Sequence, residues 1–155
     1  FHFTIQTEIA QDLDRRENEF IGVESFSGLK LKPLSILIAE DNYSNQKVLI
    51  TMLKRLGYRA DAVADGKEVL RALERRSCDL ILMDVKMPEM DGITATKVIR
   101  NQKPGNIPHI VGITAYALEG DREKCLESGM NGYIPKPVIM SQLIEVLKAA
   151  SGTPM

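Results

Sequence analysis

The sequence predicts an α/β fold in which helices cover both faces of a five-stranded parallel sheet. Five short apolar segments alternate with five segments whose apolar residues recur at helical spacing, which is the pattern of a doubly wound sheet. The connections are short, and right-handed crossovers then place helices on both faces. Several apolar segments also end at polar residues. In a parallel sheet such residues would lie together at the carboxyl edge of the strands, where ligands bind.

Each predicted strand is a short run with mostly apolar residues. The runs cover residues 35–39, 58–64, 79–84, 110–113 and 132–135. The third run contains Ile81-Leu82-Met83-Asp84, in which three apolar residues precede an aspartate. A continuous apolar run is typical of a strand that is buried on both faces of a parallel sheet. We therefore expect Asp84 to emerge at the carboxyl edge of the sheet.

The helices are predicted from apolar stripes and from residues that start or stop a helix. Ser44 is expected to cap the first helix and Gly57 to end it. A second helix follows residues 65–66, a third covers 92–100, a fourth covers 119–128 and ends at Gly129, and a last one follows residues 136–137. The side chains expected to face the core from the first, second and last helices are Val48, Leu49, Met52, Leu53, Leu56, Val69, Leu70, Leu73, Leu143, Ile144 and Leu147.

The regular pattern occupies residues 34–150, and shorter segments flank it. Phe1, Phe3 and Ile5 alternate with polar residues, residues 11–19 are heavily charged, and residues 25–28 have loop composition. The alternation has the period of a strand, whereas the rest is typical of a solvated linker. We expect a tail or linker over residues 1–33, one domain over 34–150 and a C-terminal tail over 151–155.

Composition narrows the class of protein. The formal net charge of the 155 residues is −1, so no strongly basic face points to nucleic acid. The sequence contains no apolar run of the ~18 residues that a membrane span needs. Cys78 and Cys125 are the only cysteines, and their spacing fits neither a metal site nor a redox pair. We expect free thiols in a cytoplasmic domain.

Polar side chains follow four of the predicted strands. Glu40 and Asp41 follow the first, Asp84 ends the third, Thr114 follows the fourth and Lys136 follows the fifth. Singly, each has an ordinary explanation, such as a helix cap or a solvated lysine, but together they would meet at one edge. Three carboxylates so close repel one another. A hard cation with oxygen ligands relieves that repulsion, and Mg²⁺ is the usual one where phosphate is present.

This set of residues suits phosphoryl transfer. Asp84 can act as a nucleophile and form an acyl phosphate. The metal and Lys136 can neutralise the phosphoryl oxygens, and Thr114 can donate a hydrogen bond to one of them. Because little further covalent chemistry is needed, positioning carries most of the catalysis.

Four motifs, in order along the chain, match a known family. They are Ile38-Ala39-Glu40-Asp41-Asn42, the segment from Met83 to Gly92, Ile113-Thr114-Ala115 and Lys136-Pro137. With them, residues 34–150 closely resemble a receiver (response-regulator) domain of two-component signalling. The resemblance implies a flavodoxin-like sheet with strand order 2-1-3-4-5. It also implies that Asp84 accepts a phosphoryl group from a histidine.

The resemblance also implies a metal site. Mg²⁺ would be held by Glu40, Asp41, Asp84 and the main-chain carbonyl of Lys86. The Lys136–Pro137 peptide bond is expected to be cis, which suits a proline in a tight turn.

A switch is implied in the same way. Thr114 would move to the phosphoryl group and Tyr133 would turn inward behind it. The surface made by the fourth helix, the fifth strand and the last helix would then change shape. Lys86 and Tyr116, two residues after Asp84 and Thr114, occupy positions that tune the lifetime of the acyl phosphate in the family.

The variant of the first motif points to a particular kind of receiver. Residues 40–46 resemble receivers fused to hybrid sensor histidine kinases, and residues 1–5 resemble the closing strand of a kinase ATP-binding domain whose nucleotide motifs are absent here. We expect residues 1–5 to be disordered or to add to a neighbouring sheet edge. The expected partner is a phosphohistidine, either of the parent kinase, which could itself be membrane-anchored, or of a histidine-containing phosphotransfer protein. A homodimer through the switch surface is a further expectation.

Three alternatives belong to other classes. A phosphorylation-independent interaction module would not need the complete set of acidic, hydroxyl and lysine residues. A phosphohydrolase with an aspartyl nucleophile would have a second aspartate where this chain has Lys86. A flavin-binding flavodoxin would have a hydroxyl-rich phosphate loop after the first strand, where Glu40 and Asp41 would repel phosphate.

Overall fold

The computed structural model of the chain describes residues 32–102, 107–115 and 119–152. In these ranges five strands alternate with five helices. The strands are β1 (Ile36–Ala39), β2 (Ala60–Val63), β3 (Leu80–Asp84), β4 (His109–Thr114) and β5 (Gly132–Pro135). The helices are α1 (Tyr43–Arg55), α2 (Gly66–Arg75), α3 (Gly92–Asn101), α4 (Glu119–Glu127) and α5 (Met140–Ala150). The strand predicted over residues 1–5 and the Tyr116 position lie outside the described residues.

The five strands form one parallel sheet in the order β2-β1-β3-β4-β5. The predicted doubly wound, flavodoxin-like α/β fold is therefore confirmed. Every residue of β3 is buried, as expected for the central strand. Its register places Met83 beside Ala39 of β1 and Asp84 beside Ile113 of β4. This register brings the carboxyl ends of β1, β3, β4 and β5 to the same edge of the sheet.

The core lies in two layers because successive residues of a strand face opposite sides of the sheet. The first layer, against α1 and α5, contains Ile36, Ile38, Leu49, Leu53, Leu80, Leu82, Val111, Ile113, Leu143 and Leu147. The second, against α2, α3 and α4, contains Leu37, Ala39, Val69, Ile81, Met83, Ala95, Ile99, Ile110 and Cys125. Cys78 and Cys125 are buried free thiols. None of the described helices is long and apolar enough to cross a membrane.

Three details of the predicted helices need correction. Asn42, rather than Ser44, caps α1, because its Oδ1 accepts a hydrogen bond from the main-chain N–H of Asn45 at 3.1 Å. Val48 is 55% exposed, since it lies about 100° around the helix from Leu49, which faces the sheet. Ile144 on α5 is only partly buried. The predicted stops at Gly57 and Gly129 are confirmed, with φ values of 88° and 105°.

Candidate functional site

The polar residues at the carboxyl ends of the strands, and those just after them, converge in one cleft of about 270 Å³. Its lining residues are Glu40, Asp41, Asn42, Asn45, Asp84, Val85, Lys86, Thr114, Ala115 and Lys136. The cleft therefore contains all six predicted catalytic and metal-binding residues. Tyr133, the second predicted switch residue, is not among its lining residues.

Lys136 joins two of the carboxylates in the cleft. Its Nζ lies 3.0 Å from Oε2 of Glu40 and 3.1 Å from Oδ2 of Asp84. Both acids are buried, with 1% and 5% of their surface exposed. Burial of Lys136 acts to lower its pKa, but hydrogen bonds to Glu40 and Asp84 and their negative charge outweigh that effect and raise the pKa. Lys136 is therefore held as a cation against the two carboxylates.

Glu40 is fixed at its main chain and at one carboxylate oxygen. Its N–H donates to the carbonyl of Val63 at 3.0 Å, and its own carbonyl accepts from Nε2 of Gln46 at 2.6 Å. Oε1 accepts from the N–H of Asn42 at 3.1 Å. The buried Oε2 lies 3.0 Å from the Lys136 ammonium and makes no other hydrogen bond among the described residues. One buried oxygen of Glu40 thus retains unused capacity to bind a donor or a cation.

Asp84 stands at the end of β3 with its carboxylate at the floor of the cleft. Its Oδ1 accepts from the N–H of Lys86 at 3.2 Å, which leaves Oδ2 to Lys136. Gly92, the first residue of α3, packs directly on the main chain of Asp84, because an added Cβ there would collide with the Asp84 carbonyl oxygen. Only glycine lets α3 approach the end of β3 so closely.

Thr114 and the fifth strand complete the cleft. Thr114 is buried at the end of β4, with 5% of its surface exposed, and its carbonyl accepts from the N–H of Lys136 at 2.7 Å. This hydrogen bond ties the end of β4 to the turn that carries Lys136. The Lys136–Pro137 peptide bond is cis, as the resemblance implied.

The acidic residues fit a hard divalent cation. Glu40, Asp41 and Asp84 each offer a carboxylate oxygen, and these atoms all lie within 4.8 Å of one another. Desolvation, a hydrogen bond with Glu40 and the charge of Glu40 raise the pKa of Asp41, so the crowding of negative charge is felt at the outermost acid. Three clustered carboxylates match the all-oxygen ligand sets that Mg²⁺ and Ca²⁺ use.

Tyr133 on β5 packs outside the lining of the acidic cleft. Its ring is partly buried and packs against the second core layer. The guanidinium carbon of Arg122, on α4, lies 5.8 Å from the centre of the ring. Tyr133 thus connects β5 with α4, and its switching role remains a prediction.

Two features of the site were missed from the sequence. Asn42 and Gln46 hold Glu40, although neither was assigned a role when residues 40–46 were compared with hybrid-kinase receivers. An apolar groove of about 400 Å³ also adjoins the cleft and shares Glu40, Asn45, Ala115 and Lys136 with it. Its other lining residues are Val48, Leu49, Ile113, Pro137 and Val138. Val48 is the residue that could have indicated the groove, because it is an apolar side chain left exposed on α1. Its exposure depends on which side of α1 faces the sheet, which the sequence did not indicate.

Comparison with known proteins agrees with this geometry. A family model described as the response regulator receiver domain matches residues 36–148. The chain is 45% identical, over 76% of its length, to hybrid signal transduction histidine kinase H of Dictyostelium discoideum, of which it spans 9%. The chain therefore corresponds to about a tenth of that relative.

Solved structures show the same fold. The receiver domain of a sensor histidine kinase from Pseudomonas aeruginosa, solved with a magnesium ion in its active-site cleft, matches with a TM-score of 0.71 and 45% identity, over 78% of this chain and 99% of that one. The receiver domain of Ssk1 of Saccharomyces cerevisiae, solved with the histidine phosphotransfer protein Ypd1, matches with a TM-score of 0.74 and 28% identity, over 80% and 92% of the two chains.

The fold, the strand order and the motifs at the edge of the sheet lead to one family. The family match covers more than two thirds of the chain, and it includes β1, where the acidic pair follows, and the Lys136 turn. The chain belongs to the response regulator receiver domain family, and it is a phosphorelay receiver domain whose relatives include receivers of hybrid histidine kinases.

Proposed function

We propose that Asp84 is the phosphoryl acceptor of this receiver and that the phosphoryl group comes from a phosphohistidine. The observation that carries the proposal is the position of the Asp84 carboxylate at the floor of the cleft, 3.1 Å from the Lys136 ammonium. A carboxylate that is buried, oriented and paired with a cation is held ready to attack.

In the reaction an oxygen of the Asp84 carboxylate attacks phosphorus. A P–O bond forms as the P–N bond to the imidazole breaks, and the imidazole nitrogen keeps the electron pair of that bond. Negative charge spreads over the phosphoryl oxygens during this transfer. Lys136 stabilises that charge with its ammonium group and Thr114 with a hydrogen bond from its hydroxyl.

Glu40, Asp41, Asp84 and the main-chain carbonyl of Lys86 would hold Mg²⁺. When bound, the ion supplies positive charge beside the phosphoryl oxygens. The magnesium in the active-site cleft of the Pseudomonas aeruginosa receiver supports this assignment, as do the clustered carboxylate oxygens of this chain. The choice of Mg²⁺ over Ca²⁺ follows from the usual pairing of Mg²⁺ with phosphate.

We also propose that the switch runs from Thr114 to Tyr133. Thr114 would contact the phosphoryl group, and Tyr133 would turn inward behind it. Because the Tyr133 ring contacts Arg122 of α4, its movement would alter the surface formed by α4, β5 and α5. A homodimer through this α4-β5-α5 surface is one consequence that the change could have.

The donor we propose is a protein, either the parent kinase or a histidine-containing phosphotransfer protein. The apolar groove supports this, because it adjoins the cleft that contains Asp84, and a protein bound in the groove could extend a histidine into that cleft. The complex of Ypd1 with the Ssk1 receiver offers a precedent. We assign the receiver to residues 34–150, with flanking tails over 1–33 and 151–155, and place it in the cytoplasm as part of a hybrid kinase.

Phosphorylation can be tested by intact mass after incubation with Mg²⁺ and a small acyl-phosphate donor. The wild-type chain is expected to gain one phosphoryl group, and EDTA should prevent the gain. Asp84→Asn should gain none. Asp61→Asn makes the same chemical change at an exposed carboxylate on β2 and should behave as wild type.

A negative result would also be informative. If the wild-type chain gains no phosphoryl group, even from a phosphohistidine protein, then Asp84 is not an acceptor. The domain would then act as the phosphorylation-independent interaction module that the sequence left as an alternative.

A further inference from the structure

We propose that Gln46 is a positioning residue that sets the affinity of the acidic cleft for its divalent cation by holding the main chain of Glu40. The inference rests on the metal-dependent function proposed above and adds a residue to it. Gln46 itself lines neither the cleft nor the groove, so its action would pass through Glu40.

The carboxamide of Gln46 connects the ends of two neighbouring strands. Its Nε2 lies 2.6 Å from the carbonyl oxygen of Glu40, which follows β1, and 3.4 Å from that of Val63, the last residue of β2. The pairing of β1 with β2 ends at Ala39 and Val63. The Glu40 carbonyl therefore lies just beyond the paired strands, and Gln46 supplies a donor to it there.

The result is a main chain fixed on both sides of the first acidic residue. The N–H of Glu40 is bound to Val63, and its carbonyl is bound to Gln46. Glu40 and Asp41 are consecutive, so a rotation about the Cα–C bond of Glu40 would move the Asp41 carboxylate relative to those of Glu40 and Asp84. Gln46 opposes that rotation, because it would carry the Glu40 carbonyl away from Nε2.

A simple role in capping α1 does not account for this contact. The cap of α1 is the Asn42 side chain, which accepts from Asn45, and the first helical hydrogen bond joins the main-chain N–H of Gln46 to the carbonyl of Asn42. Among the described residues, the carboxamide donates to two carbonyls, of Glu40 and Val63, and both lie outside α1. Residues that orient metal ligands in this indirect way commonly change metal affinity by about 10- to 100-fold.

The test is a calorimetric Mg²⁺ titration of Gln46→Met, which keeps the length of the side chain but removes both donors. The dissociation constant is expected to rise about tenfold. At saturating Mg²⁺, phosphoryl uptake from the acyl-phosphate donor should return to the wild-type level, because Asp84, Thr114 and Lys136 are unchanged. Gln46→Asn, which draws the carboxamide back by one methylene, should raise the constant likewise and provides a milder change of packing.

The matched control is Thr51→Val on the same helix. It removes a side-chain hydrogen bond to a main-chain carbonyl, from Oγ1 to Lys47 at 2.7 Å, that does not reach the cleft. Its Mg²⁺ affinity should equal that of wild type. An unchanged constant in both Gln46 variants, or uptake that stays low at saturating Mg²⁺, would overturn the proposal for Gln46. Absence of Mg²⁺ binding by wild type would overturn the metal assignment itself, and this inference with it.

Discussion

The ammonium of Lys136 lies 3.1 Å from the carboxylate of Asp84, although 52 positions separate the two residues in the sequence. The same ammonium is 3.0 Å from Glu40. The positive charge of Lys136 thus lies beside carboxylate oxygens that would also bind a metal ion, and it neutralises part of their negative charge. Lys136 and a bound cation therefore compete for the negative charge of the cleft, while both are positioned to attract a phosphoryl group.

Lys136→Met should separate these two effects. We expect phosphoryl uptake to fall by about 100-fold or more, because a charge that stabilises the phosphoryl oxygens is lost. Mg²⁺ affinity should rise, because the carboxylates no longer share their charge with an ammonium group. Uptake is measured by intact mass over time, and affinity by calorimetric titration.

Lys97→Met is the control for this change, because Lys97 is an exposed lysine on α3. It should alter neither quantity. A Lys136→Met variant that binds Mg²⁺ more weakly than wild type would contradict the competition between lysine and metal.

Asp41→Asn should make the metal-free protein more stable at neutral pH. The pKa of Asp41 is raised, so its ionised form is disfavoured in the folded state. When a carboxyl pKa is raised by folding, the folded protein loses stability at pH values above that raised pKa. The loss disappears as the pH falls through the raised pKa towards the ordinary value of 3.8. Thermal unfolding in EDTA at neutral pH should show a midpoint above that of wild type.

Mg²⁺ should reverse that order. Wild type gains stability from the ion by mass action, whereas Asp41→Asn has lost a charged ligand and gains less. Glu145→Gln, the same loss of charge at an exposed site on α5, controls for net charge. A melting temperature of Asp41→Asn that stays above wild type at saturating Mg²⁺ would argue against Asp41 as a ligand.

Two glycine substitutions should have opposite effects on stability. Gly92→Ala would drive a methyl group into the Asp84 carbonyl and Met83, and we expect a loss of about 1–3 kcal/mol. Gly120→Ala on α4 meets no atom within 4 Å and should add about 0.5–1 kcal/mol, since alanine favours a helix. Urea unfolding measures both changes. Equal effects would show that α3 tolerates a side chain at its approach to β3.

Stability should also fall in mildly acidic solution because of His109. Burial, and then the charge of Arg100, lowers the pKa of His109 below its ordinary 6.5. The unfolded chain then binds a proton before the folded protein does, so stability is complete above about 6.5 and falls as the pH drops from there through the folded pKa. Urea unfolding measured between about pH 7 and pH 5, the range in which a histidine titrates, gives the slope of the unfolding free energy against pH.

His109→Gln should reduce this slope, because it removes the group whose pKa is lowered in the folded protein. A wild-type slope equal to that of His109→Gln would assign the acid sensitivity to other groups. Arg100 keeps its hydrogen bonds to the carbonyls of Gly129 and Pro108 in this variant, because neither acceptor belongs to the histidine.

The sequence by itself determined the fold and the composition of the cleft. Apolar runs of strand length fixed β1 and β3, and the alternation of strands with helical stripes fixed a parallel sheet. Parallel strands end at a common edge of the sheet. Residues at or just after their carboxyl ends therefore lie close together when the register aligns those ends. That is why Glu40, Asp84, Thr114 and Lys136 could be placed together from their positions alone.

Only the tertiary structure decided which side chains hold these residues in place. The carboxamide of Gln46 donates to the carbonyl of Val63, 17 positions away. The Lys136 ammonium pairs with the carboxylates of Glu40 and Asp84. Val48 faces the groove instead of the core because the rotation of α1 against the sheet is set by Leu49 and Leu53. Local sequence patterns determine where helices and strands form, because helix and strand preferences depend mainly on residues that are close together in the sequence. Contacts between elements depend on register, on helix rotation and on burial, and these are fixed only when the elements pack.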